Sequence, residues 1–225
     1  MYIFLANFLI TGSNRGIGLE LTSQLHKRGE NVFATCRKSS EELNGLGVNV
    51  IENVDISSGQ SITNLKRKLN NIKLDCLIHN AGVSEYNSFE DLDPESIKRQ
   101  FDINALSPLC MTRSLISFFN KNSKIAFITS RMGSIDDNTS GSSYGYRMSK
   151  VAMSMAAKSL ALDLLDKEIY VAILHPGLVR TRMTGFTKNG ISTIESAKGL
   201  LERIDLLDKK NTGKFFHANG EELPW

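Results

Sequence analysis

Short runs of Val, Ile and Leu alternate along this chain with stretches of helical spacing, and that alternation restricts the fold more than any other feature. "ANFLIT", "NVFATC", "VNVIENV", "LDCLIH", "KIAFITS", "IYVAILHP" and "GKFFHAN" read as strands. Between them stand "LELTSQLHKRG", "SITNLKRKLNNI", a stretch from "DPESIKRQF" through Pro108 to about Asn120, "YRMSKVAMSMAAKSLALDLL" and "IESAKGLLERI", which read as helices. Strands that are apolar throughout, rather than at every second residue, must be covered on both faces. Right-handed crossovers then give an α/β fold: a single Rossmann-type domain over 1–225, with a doubly wound parallel seven-stranded sheet and helices on both faces.

The 41% hydrophobic share of 225 residues suits one core. A net charge of +3 without a dense Lys/Arg block argues against a nucleic-acid partner. Cys36, Cys76 and Cys110 form neither a CxxC pair nor an even set, which fits a reducing compartment. The apolar start "MYIFLANFLI" lacks the basic leader and cleavage site of a signal peptide. It ends at "TGSNRG", far short of the ~20 apolar residues of a membrane helix. It reads as a buried strand with an apolar tag over Met1–Leu5, and the expected location is cytoplasmic, away from membranes.

"TGSNRGIGLE" follows the first strand and opens the first helix, the context of a dinucleotide site. Gly12 allows the tight turn, Gly16 lets backbone approach a phosphate, and Gly18 lets helix and strand pack closely. The N–H groups at the helix start can hold a pyrophosphate. The spacing is G-x-x-x-G-x-G, and a glycine turn without a ligand has the same letters. The second strand ends in "ATCRKSS", with Arg37 and Lys38 where an NAD site carries an acid, and Arg15 lies in the glycine loop. Guanidinium groups hold an adenosine 2′-phosphate that a carboxylate would repel, so NADP is favoured over NAD.

"SSYGYRMSK" holds two tyrosines and one lysine. Tyr146 and Lys150 are four residues apart and share a helix face, whereas Tyr144 has Met148 at that offset. An ammonium beside a phenol can lower its pKa from about 10. Spacing alone also fits a solvated helix face.

With these residues the chain resembles the short-chain dehydrogenase/reductase family over nearly its whole length. The motifs stand in order: "TGSNRGIG" at 11–18, "VDI" at 54–56, "HNAG" at 79–82, "FDINAL" at 101–106, "ITS" at 128–130, "YRMSK" at 146–150 and "HPGLVRT" at 175–181. "GSI", "YGYRMSK" and the late "LPW" make it most similar to the C-factor and sniffer-type carbonyl reductase branch. The resemblance implies a dinucleotide-binding N-terminal half and a catalytic C-terminal half. It implies that Gly12, Ser13, Asn14, Arg15, Gly16, Ile17 and Gly18 form the cofactor loop, with Arg37 at the 2′-phosphate. Asp55 and Ile56 would flank the adenine. Asn80, Ala81 and Gly82 would line the ribose side and support the sheet. Asn104 would bend its helix and hold a water that reaches Lys150. Ser130 would bind the substrate carbonyl, Tyr146 would give the proton, and Lys150 would hold the nicotinamide ribose while acidifying Tyr146. Pro176, Gly177, Val179 and Thr181 would contact the nicotinamide end.

The expected activity is NADP(H)-dependent reduction of an aldehyde, ketone or quinone, or oxidation of the matching alcohol. A dinucleotide sensor or signalling protein of the C-factor type is the competing reading, and a structural oligomer a third. Ser134 is the rival hydroxyl to Ser130, set in a polar loop, and Thr129 is expected to point to the sheet's other face. His79 and His175 end strands without ligand spacing around them, so no metal is expected. The segment from Thr184 to Ser192 is short for a substrate lid and implies an open pocket. Relatives pack the long helix and the Asn104 helix across a two-fold axis, so a homodimer or homotetramer is expected.

Overall fold

The computed structural model describes residues 5–225. Most of the tag expected over residues 1–5 lies outside the described residues. The strands are β1 (Asn7–Thr11), β2 (Asn31–Thr35), β3 (Asn49–Ile51), β4 (Leu74–His79), β5 (Phe119–Ile128), β6 (Tyr170–His175) and β7 (Phe215–His217). They form one sheet in the order β3-β2-β1-β4-β5-β6-β7, and every neighbouring pair is parallel. The expected doubly wound fold is therefore the one observed.

The central position of β1 follows from its sequence. Leu9 is buried in one apolar layer, with Leu65, Met111, Leu115 and Met153. Phe8 and Ile10 are buried in the other, with Leu21, Leu25, Leu200 and Leu201. Complete burial of one such side chain contributes about 2 kcal/mol. The first layer is built from α3 (Gly59–Leu69), α5 (Ser107–Leu115) and α6 (Tyr144–Asp163), and the second from α1 (Gly16–Lys27) and α7 (Thr193–Asp205). The chain goes from β1 outward to β3, then crosses back to β4 on the other side of β1. This reversal opens a crevice at the carboxyl ends of β1 and β4, where open α/β sheets bind ligands.

Four segments differ from expectation. The helix expected to reach about Asn120 breaks into α4 (Pro94–Phe101), a π-turn over Asp102–Leu106, α5, and a 3-10 turn over Ile116–Phe118. β5 then starts at Phe119, earlier than "KIAFITS", because the polar stretch between them is tied into the sheet. Ser123 Oγ donates to the Leu74 carbonyl and accepts the Asn120 N–H, while Asn122 takes a left-handed φ of 65°. α6 begins at Tyr144, two residues before the expected start. A short helix, α2 (Glu41–Asn44), was not expected; Ser40 caps it by accepting the Leu43 N–H.

Candidate active site

The glycine loop is shaped by close approach. Gly12 has φ 69°, and a Cβ there would lie 2.9 Å from Ala81 Cα. At Gly18 a Cβ would run into the Gly12 carbonyl and Asn80 Nδ2, so α1 can pack onto the end of β1 only as glycine. Gly16 has φ 57° and faces Thr181, which brings the loop after β6 against the glycine loop. No side chain caps the start of α1 and its first turn holds no acid, so its N–H groups remain available to an anion.

Thr11 fastens this loop to β4. Its buried hydroxyl accepts the N–H groups of Asn80 and Ala81, each at 3.0 Å. Asn80 Nδ2 in turn donates to the carbonyls of Thr11 and Gly12. The Ser13 side chain is fully buried, its hydroxyl donating to the Ile10 carbonyl and its N–H to the Thr35 carbonyl. Asn14 Nδ2 donates to the Lys38 carbonyl and so joins the glycine loop to the basic loop after β2. Arg15, Arg37 and Lys38 are all exposed. One carboxylate lies at the far side of that loop, where Glu52 accepts the Ser39 N–H. Asp55 accepts both the N–H and the hydroxyl of Ser57; those bonds, with Arg37 adding a smaller pull, hold its pKa below the ordinary value. Ile56 is buried beside it.

Asn104 sits inside the π-turn and is fully buried. Its Oδ1 accepts the Val83 N–H at 2.8 Å, and its Nδ2 donates to the Val83 carbonyl and to Ser149 Oγ. It thus clamps the chain after β4 to α6. Gly82 separates it from Lys150: a Cβ there would lie 3.0 Å from Asn104 Oδ1 and 3.7 Å from Lys150 Nζ.

Ser130 follows β5 and caps a 3-10 turn over Arg131–Gly133, its Oγ accepting the Met132 N–H at 3.1 Å. That bond occupies a lone pair and leaves the hydroxyl proton free to donate outward. Tyr146 and Lys150 come from one face of α6, with Nζ 5.7 Å from the Tyr146 ring centroid. Lys150 Nζ donates to the Ile128 carbonyl at 3.0 Å, and burial lowers its pKa to about 8. The expected acidification of Tyr146 by Lys150 is not what this arrangement gives. Burial raises the phenol's pKa, the Ser130 hydroxyl beside it works the other way, and the ammonium is turned to the Ile128 carbonyl.

The other expected residues fall as follows. The Pro176 carbonyl accepts Ser196 Oγ, and Gly177 has φ 87° where a Cβ would press on Ile191. Val179 is buried and pairs with Ile191, while Thr181 and Thr184 cap one another's backbone. Tyr144 is half-buried in the first turn of α6. Ser134 is buried rather than set in an open loop, because its hydroxyl caps the Asp137 N–H. Thr129 Oγ1 bonds the Lys150 carbonyl and Ser154, facing α6. His79 Nε2 bonds Thr112, and His175 packs edge-on to His217.

The family model for short chain dehydrogenases matches residues 6–191. The chain belongs to the short-chain dehydrogenase family. Among its relatives, a 1-hydroxy-2-glutathionyl-2-methyl-3-butene dehydrogenase of Rhodococcus sp. (strain AD45) is 36% identical over 226 residues, covering 98% of this chain and 100% of that one. C-signal of Myxococcus xanthus is 40% identical over 155 residues, 68% of this chain and 93% of that protein. An NADPH-bound carbonyl reductase from chicken fatty liver superimposes with a TM-score of 0.90 at 25% identity, over 99% of this chain and 100% of that one. The expected likeness to C-factor and carbonyl reductases is thus observed. Three residues of this short-chain dehydrogenase escaped the sequence reasoning: Thr11, Ser149 and Gly133. Ser149 bridges Asn104 to the Tyr146 carbonyl. A Cβ on Gly133 would lie 2.8 Å from the Lys150 carbonyl carbon. The one available signal was that each lies within or beside a motif that did stand out.

Proposed function

We propose that this short-chain dehydrogenase is an NADPH-dependent carbonyl reductase that also runs the matching alcohol oxidation, with Tyr146 as proton donor and acceptor. The observation that carries the reading is the meeting of the Ser130 hydroxyl, the Tyr146 phenol and the Lys150 ammonium, with Lys150 beside Gly82 and the neighbouring Ala81 packed on Gly12 of the glycine loop. Bound NADPH supplies the hydride to the carbonyl carbon. Ser130 donates to the carbonyl oxygen as negative charge grows on it, and Tyr146 delivers the proton to that oxygen. The neutral phenol is the form that can donate, and burial favours it by raising the pKa.

The residues present fit the cofactor. Gly12, Gly16, Ile17 and Gly18 leave backbone space and free N–H groups for the pyrophosphate, and Asn14 braces the loop from behind. Arg15 and Arg37 take the 2′-phosphate. Asp55 and Ile56 hold the adenine, Asn80, Ala81 and Gly82 the ribose, and Lys150 the nicotinamide ribose. Pro176, Gly177, Val179 and Thr181 border the nicotinamide. Asn104 positions the chain around Val83 and, through Ser149, the start of α6.

The N-terminal half serves the dinucleotide and the C-terminal half the chemistry. Assembly as a homodimer or homotetramer is supported by exposed Met148, Met155 and Leu162 on α6, by exposed Phe101 just before the π-turn and by exposed Leu106 at its end. The three cysteines are free, in keeping with a reducing cytoplasm. Among the described residues no helix is long and apolar enough to cross a membrane.

The test is NADPH oxidation across aldehydes, ketones and quinones, with Tyr146→Phe as the control. Turnover that the variant loses supports the reading. NADPH binding without turnover on any class would favour a dinucleotide sensor, the reading that the likeness to C-signal keeps open.

A further inference from the structure

The turn that carries Ser130 is held from two sides. On the inner side Gly133 presses against the Lys150 backbone, so the turn and α6 keep a fixed separation. On the outer side the Arg131 guanidinium reaches away from α6. Its Nη2 lies 3.1 Å from both oxygens of Glu221, and its Nε 3.2 Å from Asp137 Oδ2. The loop is caught again where the Asp136 N–H donates to the Trp225 carbonyl at 2.9 Å.

The residues that make the outer contacts are themselves well anchored. Beyond β7 the chain turns back along the strand, and Glu222 pairs antiparallel with Phe216. The Leu223 N–H bonds the Phe215 carbonyl, and its side chain is buried. Trp225 stacks on Phe215 with ring centroids 5.6 Å apart. The His217 N–H bonds the Glu221 carbonyl. The segment is thus fixed to the sheet edge and in contact with the catalytic turn at Arg131 and with the loop after it at Asp136.

We infer that Glu221–Trp225 is a positioning strap, acting through Arg131 and Asp136 to hold Ser130 at the distance from Tyr146 that the reaction needs. This rests on the reading of Ser130 and Tyr146 given above. Arg131 and Trp225 are positioning residues, since neither touches the reacting atoms. A loosened turn moves the donor aimed at the carbonyl oxygen, and displacements of about 1 Å cost up to ~10²-fold in rate. It also removes from the phenol the hydroxyl that lowers its pKa.

The experiment compares Arg131→Met, Trp225→Ala, Arg131→Lys and Ser130→Ala in the full chain, with Leu207→Ala in the opposite apolar layer as a destabilised control. Steady-state rates are measured in both directions, alcohol oxidation across pH, and NADPH affinity by titration. Tyr146 must be deprotonated to accept a proton in oxidation, so weakening Ser130's influence moves the rise in rate to higher pH. The titratable groups around Arg131 are Asp137, Glu221, His175 and His217, the two imidazoles favoured neutral by burial, and among the described residues Lys150 is the ionisable group facing Tyr146, with the neutral Ser130 beside it. Arg131→Met and Trp225→Ala are expected to lose about tenfold in kcat and to shift the oxidation profile upward, with NADPH affinity within about twofold. Arg131→Lys is expected to recover most of the rate. Leu207→Ala is expected to lower Tm without moving the profile. If Ser130→Ala loses turnover while Arg131→Met and Trp225→Ala keep the unaltered profile and rate, the strap is refuted and the catalytic reading stands. If Ser130→Ala is fully active, the catalytic reading fails and the strap with it.

Discussion

Thr11→Val isolates what fastens the glycine loop to the sheet. Valine keeps the shape of threonine and removes the oxygen that accepts the Asn80 and Ala81 N–H groups. A buried donor left without a partner costs about 1–3 kcal/mol. Asn80 and Ala81 are only half-buried, so water can reach them in part, and the low end applies to each. The expected loss is about 2 kcal/mol in urea unfolding. The loop that Asn80 steadies through the Thr11 and Gly12 carbonyls loosens with it. NADPH affinity should therefore fall roughly tenfold, equivalent to about 1.4 kcal/mol. Thr22→Val is the control: it too removes a buried hydroxyl, but one that donates to the Gly18 carbonyl within a helix and leaves no N–H unmet. Its cost should stay under about 1 kcal/mol. Equal losses for the two variants, or unchanged NADPH binding by Thr11→Val, would refute the reasoning.

Arg37→Asp should reverse a preference for NADPH over NADH, read by isothermal titration with both cofactors; equal or tighter NADH binding by the unaltered protein would contradict the assignment of the 2′-phosphate site. Lys150→Ala should lose both turnover and cofactor affinity, whereas Tyr146→Phe should lose turnover by roughly 10²- to 10⁴-fold with affinity little changed, and Tyr144→Phe neither. Burial sets the Lys150 pKa to about 8 in the folded protein, against about 10.4 when unfolded. Between these values the unfolded chain holds a proton that the folded one has released, so stability should rise with pH in that window and be flat with respect to this group below it; Lys150→Met should abolish the rise in urea midpoints. Light scattering should give a dimer or tetramer mass, and Met155→Glu on the exposed face of α6 should lower it.

The number of strands and their places along the chain were legible because each is an apolar run that must be covered on both faces. The glycine loop was legible because its three glycines stand between a strand and a helix. The start of β5 was not, because "NKNS" enters the sheet through Ser123 and a left-handed Asn122, which carry no apolar signal. The π-turn at Asn104 could be anticipated as a bend from the family resemblance, but not as a change of helix register. Thr11 and Ser149 remained ordinary polar residues in the sequence, since their partners lie 69 and 45 positions away. The direction of Lys150 was also hidden: four-residue spacing puts it on the face of Tyr146, while the Ile128 carbonyl decides where the ammonium points.

Gly133, like Gly18, differs in kind from Gly12, Gly16 and Gly177. It has no left-handed φ, so any residue could adopt its backbone conformation; what it lacks is room. The smallest side chain would already place a carbon 2.8 Å from the Lys150 backbone. Alanine, elsewhere the mildest of replacements, is here excluded by the same contact that excludes tryptophan. Sequence drift at this position therefore has no gentle first step, and neighbouring positions can vary only in ways that keep the turn seated on α6.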